Sequence, residues 1–373
     1  MKKYFQINIL FTLLFAFFTG VLFAQSLTSK PEFRKDSTLN KMYLVNNYFN
    51  ENSWKQSDRN WIRGTYYTGL MEFYKVTKDE NLLKQAKTWA AKHTYRTGTE
   101  WTYPANRLTC TQTYLDLYFL EKNESYIQNT KSFMDKRVFD TEPAEDLGWW
   151  YVDALYVGIP AYFKMTKASG DSIYISYANR IFWEVKENLF DTTENLFYRD
   201  EKARLTITDN GKKELWSRGN GWAMASIPKI LMSLPNNHPD RNKYATLLKE
   251  MASSLAQRQR QDGFWNTNLT DPEEYLGSES SGTAFFVYAI AWGVNNHILN
   301  KDEFLPIIEK GWKALYIAVD ENGKVCWGQG VSRDPGKVDK EDSAEFVAGA
   351  FLLAGSEVYK LVNSSDDSKS SDE

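Results

Sequence analysis

The sequence contains few of the residues that build metal sites and disulfide scaffolds. It has two cysteines, Cys110 and Cys326, among 373 residues. These are too few for a disulfide-stapled scaffold, and we expect both to be free, buried thiols. The three histidines have no spacing typical of a metal site. No serine or cysteine stands in a nucleophile elbow, and no phosphate-binding loop is present. These absences predict that the protein uses neither a metal nor another cofactor.

An excess of charge of one sign is also missing. The 45 lysines and arginines are interspersed with 48 aspartates and glutamates, and the net charge is -3. A sequence of this kind has no basic face for a nucleic acid or for a lipid surface. No linker rich in proline, glycine or serine divides the chain, so we predict one domain over residues 25–362. The segment 363–373 lacks apolar residues and is predicted to be disordered.

The one long apolar run stands at the N-terminus. Lys2 and Lys3 precede an apolar stretch over residues 9–23, which is the pattern of a secretory signal. We predict a signal peptide over residues 1–24, cleaved after Ala24, and export to the periplasm or the medium. An uncleaved anchor is the alternative, although the run is shorter than the roughly 20 residues that a spanning helix needs. After cleavage, no further segment is predicted to cross a membrane.

Apolar residues recur at helical spacing along the rest of the chain. Two helices joined by a short loop cannot bury their apolar faces alone, so six such hairpins in a ring would share one core and line a funnel. Two short stretches are predicted to be extended at the rim of the funnel, residues 195–198 with 204–208, and residues 324–327. The twelve predicted helices cover residues 36–50, 60–77, 79–94, 106–121, 124–135, 149–167, 171–189, 217–234, 239–260, 280–299, 303–318 and 341–361.

Aromatic residues are abundant, with 13 tryptophans and 22 tyrosines. Their flat apolar faces and polar edges suit stacking on sugar rings, but large helical cores use the same residues. Aromatic content alone therefore leaves both interpretations open.

The densest aromatic cluster surrounds a single carboxyl group. Trp149, Trp150 and Asp153 are three or four positions apart, so on a helix the carboxyl group would lie against two indoles. Desolvation of this kind raises the pKa of an aspartate, as a general acid requires near neutral pH. The alternative is an aspartate that caps a helix or forms an ion pair inside the ring. Pro160 is predicted to bend this helix or to end its regular part.

A second cluster combines an arginine with tryptophans, in the order Trp216-Ser217-Arg218-Gly219-Asn220-Gly221-Trp222. The two glycines predict a loop that enters a helix. If helical geometry begins there, Arg218 and Trp222 share a face, where a guanidinium can bind a carboxylate while the indole stacks on a sugar. A structural turn with an arginine stacked on a tryptophan fits the same pattern.

Three weaker groups are more typical of structure than of function. Residues 61–66, which include Arg63 and Tyr66, open a helix with aromatic and basic side chains. Residues 278–284 start another helix with small side chains, and residues 262–265 form a turn with an aromatic wall.

The two main clusters and the helix count give the chain a resemblance to a known family. It resembles glycoside hydrolase family 105, the unsaturated rhamnogalacturonyl hydrolases, and the related family 88, the unsaturated glucuronyl hydrolases. Residues 149–156 and 216–222 carry the resemblance, supported by residues 112–115, 262–265 and 281–284. It implies an all-α (α/α)6 barrel in which Asp153 is both acid and base, and in which Arg218 and Trp222 hold an unsaturated uronate.

The implied partner is an oligosaccharide that a polysaccharide lyase has left with a 4,5-unsaturated uronate at its end. Because C5 also bears the ring oxygen, the double bond is part of a vinyl ether. Protonation of C4 leaves a cation shared by C5 and that oxygen, water adds at C5, and the resulting hemiketal opens and expels the aglycone. One carboxyl group suffices, unlike the pair used in ordinary glycoside hydrolysis.

The sequence departs from the family pattern at two places. Asn106 and Arg107 stand where a second acidic residue is usual, and Arg199 stands where many relatives have a histidine. We therefore hypothesise that Arg107, Arg199 or Arg63 binds a second anion, such as a sulfate on the neighbouring sugar. The predicted substrate-binding residues are Arg218, Trp222, Trp216, Asn220, Trp150, Trp149, Arg199, Asn106, Arg107, Arg63 and Tyr66.

Other functions remain open at this point. The same barrel is used by ordinary glycosidases and by lyases. The missing carboxylate at position 106 also fits a barrel that only binds oligosaccharide.

Overall fold

The structure is a computed structural model that describes residues 31–52, 58–100 and 103–370, with side chains described as far as residue 362. The predicted signal peptide and its cleavage site lie outside the described residues. We number the fourteen α-helices of the described chain in order. They are α1 (Lys35–Glu51), α2 (Trp61–Thr77), α3 (Glu80–Lys92), α4 (Thr109–Glu121), α5 (Gln128–Asp135), α6 (Ala154–Val157), α7 (Ile159–Ser169), α8 (Ile173–Leu189), α9 (Glu201–Leu205), α10 (Ser217–Leu231), α11 (Arg241–Ala256), α12 (Ser280–Asn295), α13 (Lys301–Ala318) and α14 (Glu345–Ser370).

Six helices form a closed inner ring. Each packs on the next in the order α2, α4, α7, α10, α12 and α14, and α14 packs back on α2. Outside them, α1 packs on α14, α3 on α2, α8 on α7, α11 on α10 and α13 on α12. The prediction of an all-α barrel with six inner helices and an outer layer of helices is therefore confirmed.

Burial distinguishes the inner helices from the outer ones. Every residue of α12 from Ser280 to Val294 is buried, whereas α3 buries only four positions on one stripe. The inner helices also approach each other closely. A Cβ atom at Gly69 of α2 would lie 2.2 Å from the carbonyl oxygen of Gly349 in α14, so only glycine fits at this crossing.

The inner helices all run in the same direction. Residues near their N-terminal ends line one cavity, and residues near the C-terminal ends of α2, α4, α7 and α10 line another. We call the first end of the barrel the mouth and the second end the floor.

The predicted helix over residues 149–167 is divided in the structure. Helical geometry begins only at Ala154, and Gly158 separates α6 from α7. Pro160 stands in the first turn of α7, where a missing N–H costs nothing. The prediction that the regular helix is interrupted near Pro160 is confirmed, but its start at residue 149 is wrong.

The extended stretches pair differently from the prediction. Strand β2 (Leu196–Phe197) pairs antiparallel with β1 (Phe190–Asp191), which directly precedes it. Residues 201–205 form the short helix α9, so the predicted pairing of 195–198 with 204–208 is wrong. Residues 201–205 are helical because the Asp200 side chain caps them, accepting from the Ala203 N–H over 2.9 Å. At the other predicted stretch, Val325 bridges to Val319.

The last helix continues further than the composition predicts. Helix α14 runs to Ser370, through most of the segment 363–373 for which disorder is expected. The composition argument concerns burial of apolar surface, whereas a helix that is already anchored adds one backbone hydrogen bond for each further residue. Residues 371–373 lie outside the described chain.

Both cysteines are buried free thiols, as the sequence predicts. Burial raises the pKa of the Cys110 thiol to about 11. None of the helices in the described residues combines the length and the apolar character needed to cross a membrane.

Candidate active site

A cavity of about 250 Å³ opens at the mouth of the barrel, and we call it the mouth pocket. Its wall combines carboxyl, guanidinium and aromatic groups from six separate parts of the chain. The residues that line it are Trp61, Glu100, Tyr103, Asn106, Tyr151, Asp153, Val157, Arg199, Arg218, Trp222, Val331, Ser332 and Arg333.

Asp153 stands directly before helix α6, and its side chain is only 17% exposed. Burial raises the pKa of this carboxyl group, and the charges of Arg199 and Arg218 oppose the rise. Its Oδ2 atom is buried and has no hydrogen-bond partner. A carboxyl group in such surroundings holds a proton more readily than an exposed aspartate and can donate it to a ligand in the pocket.

Arg199 faces the same space from the segment after β2. Its Nε atom lies 3.6 Å from Asp153 Oδ2, beyond hydrogen-bonding range. The guanidinium pairs with the carboxylate of Asp200 and lies 5.1 Å from the ring of Trp150. The two segments are tied together because the backbone N–H of Val152 donates to the carbonyl oxygen of Arg199 over 2.9 Å.

Arg218 holds a loop over the pocket. Its two terminal nitrogens donate to the carbonyl oxygens of Gln329 and Gly330, at 2.6 and 2.9 Å. The guanidinium also lies 4.4 Å from the ring of Trp216. Burial lowers the pKa of Arg218 to about 10, so it stays charged at neutral pH. By fixing residues 329 and 330, it places the adjoining Ser332 and Arg333 in the pocket wall.

An aromatic wall faces these charges. Trp222 on α10 packs against Phe285 with ring centroids 4.4 Å apart and against Tyr156 at 5.0 Å. Trp61, at the start of α2, lies edge-on to Trp222 at 6.1 Å. A wall of this kind suits the apolar face of a sugar ring.

Four buried polar atoms of the pocket wall have no partner. They are Glu100 Oε2, the Tyr103 hydroxyl, Asp153 Oδ2 and Arg199 Nε. A buried polar group without a partner costs about 1–3 kcal/mol, and such groups are uncommon in native structures. Their convergence on one cavity indicates a site shaped for a polar ligand.

A second cavity, of about 560 Å³, adjoins the mouth pocket, and we call it the outer cavity. The two cavities share Arg199 and Arg333. The outer cavity is further lined by Trp149, Trp150, Val185, Leu189, Asn188, Lys202, Arg204, Glu145, Asp200, Glu201 and Asp334. Together the two cavities have the form of adjacent sites for neighbouring sugars.

Comparison with known proteins identifies the family. The sequence pattern described as Glycosyl Hydrolase Family 88 matches residues 34–362. The chain belongs to glycosyl hydrolase family 88. It is therefore a glycoside hydrolase of polysaccharide degradation.

Individual relatives agree with this assignment. The chain is 35% identical over 317 residues to an unsaturated 3S-rhamnoglycuronyl hydrolase of Alteromonas sp. (strain LOR), covering 80% of this chain and 77% of that protein. A protein of the same name from Formosa agariphila is 31% identical over 319 residues, covering 81% and 84%. The solved glycosyl hydrolase family 88 structure from Bacteroides vulgatus superposes with a TM-score of 0.83 at 31% identity, covering 87% of this chain and 99% of that one.

The structure brings five of the predicted site residues of this family 88 hydrolase together. Asp153, Arg218, Trp222, Arg199 and Asn106 all line the mouth pocket. The predicted face shared by Arg218 and Trp222 exists because α10 begins at Ser217.

The remaining residues of the two clusters lie around the pocket. Trp149 and Trp150 line the outer cavity. Trp216 donates from Nε1 to Gln329 Oε1 over 2.8 Å and so supports the loop that Arg218 holds. Asn220 accepts from the Phe197 N–H at 2.7 Å and donates to its carbonyl oxygen at 2.9 Å, which fixes the strand that leads to Arg199.

Three predicted binding residues lie elsewhere. Arg63 forms a buried, two-pronged pair with Glu345, with distances of 2.7 and 2.5 Å, and ties α2 to α14. Tyr66 is buried and donates to Asn46 Oδ1.

Arg107 is the third. Its Nε donates to the carbonyl oxygen of Gly98 over 2.8 Å, and its guanidinium lies 4.7 Å from the ring of Phe133. Among the three arginines suggested to bind a second anion, only Arg199 lines the mouth pocket and the outer cavity.

Two local predictions about the clusters are corrected. Because α6 begins at Ala154, the helical spacing assumed between Trp149 and Asp153 does not apply. Trp149 instead packs towards Gly158, where a Cβ atom would lie 2.7 Å from the indole, and donates to the Tyr177 hydroxyl at 3.2 Å.

The glycines of the second cluster stand inside α10, and not in a loop before it. A Cβ atom at Gly221 would lie 3.1 Å from the Phe285 side chain and 3.4 Å from Gly282. The glycine is explained by the close approach of α10 to α12, which outweighs its low helix propensity.

Sequence reasoning missed Glu100, Tyr103, Tyr151, Ser332 and Arg333. The first two precede α4, and the last two belong to the long loop between α13 and α14. Loops have no periodicity that would reveal which side chains point inwards. The signal that was present is positional, since these loops join the N-terminal ends of inner helices, where the mouth is formed.

Proposed function

We propose that this family 88 hydrolase removes a terminal 4,5-unsaturated uronic acid from oligosaccharides made by polysaccharide lyases, with Asp153 as the proton donor. The observation that supports the proposal most directly is the Asp153 carboxyl group. It is buried, its pKa is raised, its Oδ2 atom accepts no hydrogen bond, and the residue lines a sugar-sized cavity.

The first step of the reaction needs one acid close to C4 of the unsaturated sugar. The proton of Asp153 goes to C4, and the C4=C5 electron pair forms the new C–H bond. The cation is then shared by C5 and the ring oxygen, and water bonds to C5 and gives up a proton to a base in the pocket. The C5 hydroxyl of the hemiketal becomes a ketone as the ring C–O bond breaks and the ring oxygen takes a proton, and the hemiacetal left at C1 releases the aglycone as an alcohol. Asp153 is suited to the first step because Arg199, at 3.6 Å, stabilises the carboxylate that remains.

The uronate carboxylate finds cationic partners in the same pocket. Arg199 Nε is a buried donor without a partner, and a charge-assisted hydrogen bond from it to a carboxylate is among the stronger contacts available. Arg218 adds positive charge, although its terminal nitrogens are engaged by the loop carbonyls. Trp222 and Trp61 supply the stacking surface.

For the neighbouring sugar we propose a sulfated rhamnose, as in ulvan-type oligosaccharides. Two relatives are named as 3S-rhamnoglycuronyl hydrolases. The outer cavity has equal numbers of acidic and basic groups, but within the described residues Lys202 and Arg333 form no ion pair. Arg333 lines both cavities, so it can bind a sulfate on the sugar next to the cleaved bond. The resemblance to family 105 in particular stays a prediction, because the sequence pattern that matches this chain is that of family 88.

The test is the ultraviolet absorbance of the C4=C5 bond, followed on lyase digests of ulvan, pectin and glycosaminoglycans. We expect the absorbance to fall fastest with the ulvan digest, and equal rates on sulfated and desulfated disaccharides would contradict the sulfate proposal. A rise in absorbance would indicate a lyase, and binding without turnover would indicate a binding protein. Full activity of Asp153→Asn would refute the assignment of the acid.

We also propose that the chain is exported by residues 1–24 and cleaved after Ala24. The measurement is the mass of the protein recovered from the periplasm and the medium. A chain that begins at Gln25 is expected, and a membrane-bound chain that retains Met1 would contradict the proposal.

A further inference from the structure

The mouth pocket contains a second carboxyl group that no motif revealed. Glu100 lines the pocket together with Asp153, and its Oε2 atom is buried without a partner. Burial raises the pKa of Glu100, and a hydrogen bond with Asn106 opposes the rise. Two carboxyl groups, each with a buried oxygen that accepts no hydrogen bond, therefore line one cavity.

The surroundings of the two carboxyl groups differ. Asp153 has Arg199 at 3.6 Å and is also under the charges of Arg218 and Asp200. No lysine or arginine among the described residues forms an ion pair with Glu100, whose named neighbour is the neutral Asn106. The two arginines make Asp153 the readier proton donor and weaken its carboxylate as a base. Because Glu100 forms no such ion pair, its carboxylate is the more basic of the two.

Tyr151 is close enough to both groups to be affected by their charges. The carboxylates of Asp153 and Glu100 both contribute to the raised pKa of its hydroxyl, and the hydroxyl donates to Asn106 Oδ1 over 2.8 Å. Asn106 is thereby linked to both Tyr151 and Glu100, which fixes the side of the pocket on which Glu100 stands. The Tyr103 ring, with Arg333 5.3 Å from its centroid, completes that side.

We infer that Glu100 is a second catalytic residue, which takes the proton of the attacking water while Asp153 supplies the proton to C4. The inference rests on the function proposed above. The protons balance: one passes from Asp153 to C4, and one passes from water to Glu100 as the water oxygen bonds to C5. Exchange with solvent then returns a proton to Asp153 and removes one from Glu100.

Because the two carboxyl groups act in opposite protonation states, we expect the pH profile of activity to have two limbs. Activity should fall at high pH, the basic limb, and at low pH, the acidic limb. Asp153 must be protonated, so activity falls as the pH rises through its pKa. Glu100 must be ionised, so activity falls as the pH drops through its pKa. Replacement of Glu100 by glutamine removes the acidic limb only.

The experiment compares Glu100→Gln with the parent enzyme on an unsaturated disaccharide that the parent degrades. We expect kcat to fall about 100-fold or more, KM to change less than about 3-fold, and the acidic limb to disappear. Glu250→Gln, an exposed glutamate on α11, is the matched control and should behave as the parent. Formate added to Glu100→Ala should restore part of the rate, which a structural role would not allow.

Two outcomes would overturn the inference. One is a kcat of Glu100→Gln within about 3-fold of the parent, and the other is a loss confined to KM with both limbs intact. Because Oε2 makes no hydrogen bond, the glutamine variant should keep the melting temperature of the parent. If it does not, the formate test on Glu100→Ala decides. If the parent degrades no unsaturated substrate, the proposed function itself fails. An active parent with an inactive Asp153→Asn and an active Glu100→Gln refutes the inference alone.

Discussion

The two ends of the barrel both bury charged side chains, but they differ in how closely these charges are paired. At the floor, Lys164 pairs with Asp116 at 2.7 Å and Lys75 pairs with Glu72 at 2.8 Å. At the mouth, Asp153 Oδ2, Glu100 Oε2 and Arg199 Nε make no hydrogen bond, and the ion pair between Asp153 and Arg199 is long, at 3.6 Å. The exception at the floor is Lys229, which is buried and forms no ion pair with another described residue. Buried charges that are paired closely contribute to the fold, whereas buried charges without a hydrogen-bond partner indicate a site for a ligand.

Lys229 is the least well paired charge of the floor. It is almost fully buried and lies 5.5 Å from the ring of Tyr156. Burial lowers its pKa to about 7, with the charge of Glu72 opposing the fall. The floor therefore accommodates this lysine by favouring its neutral form, and its amine lines a cavity of about 560 Å³.

The largest expected effect is on activity, from Asp153→Asn at the mouth. We expect kcat/KM on the unsaturated substrate to fall by at least about 1,000-fold, since an amide cannot donate the proton. Because its pKa is raised, the ionised Asp153 carboxylate weakens the fold at pH values above that pKa, so the melting temperature should stay equal or rise. The absorbance assay and a thermal melt measure the two effects. A variant that melts well below the parent would place Asp153 among the structural charges.

Asp116→Asn at the floor should have the opposite signature. It leaves Lys164 buried without its partner, which costs about 3–5 kcal/mol in the free energy of unfolding. The kcat of the folded variant should match the parent, because the floor lies at the far end of the inner helices. Denaturant unfolding is the measurement. Asp339→Asn, from the exposed pair with Lys337, is the control and should leave the free energy of unfolding almost unchanged.

Arg333→Ala should affect only sulfated substrates. Loss of one cation next to the sulfate lowers kcat/KM by about 10-fold, the equivalent of about 1.4 kcal/mol. The rate on the desulfated disaccharide should not change. Arg96→Ala, at another exposed arginine, should leave both rates as they are. An equal loss on both substrates would mean that Arg333 shapes the mouth and does not recognise the sulfate.

Lys229→Met should stabilise the protein, by about 1–4 kcal/mol at pH 7, because a buried charge is replaced by an apolar side chain of similar length. The folded pKa of about 7 lies below the ordinary value of 10.5. The cost of burial is therefore complete below pH 7 and disappears as the pH rises to about 10.5. Unfolding measured across this range should show stability rising in the parent and a flatter curve in the variant. A destabilised variant would indicate that the floor needs the charge.

The inner helices show which features of the fold the local sequence pattern predicts correctly. The periodicity of α10 and α12 located both helices, because burial of a stripe leaves a trace every three or four residues. The start of α6 was misplaced, since the loop before it contains as many aromatic residues as a helix face. Strand pairing near residue 196 was wrong because alternation does not specify a partner.

The sequence by itself determined the order of the six inner helices, the all-α class and the segments that carry Asp153, Arg218 and Trp222. These depend on local spacing and on a recognisable motif. Only the tertiary structure decided that Glu100 and Arg333 join them, and that Arg63 is committed to Glu345. The mouth is assembled from loops that lie far apart in the chain, and they meet because α14 packs back on α2 and closes the ring.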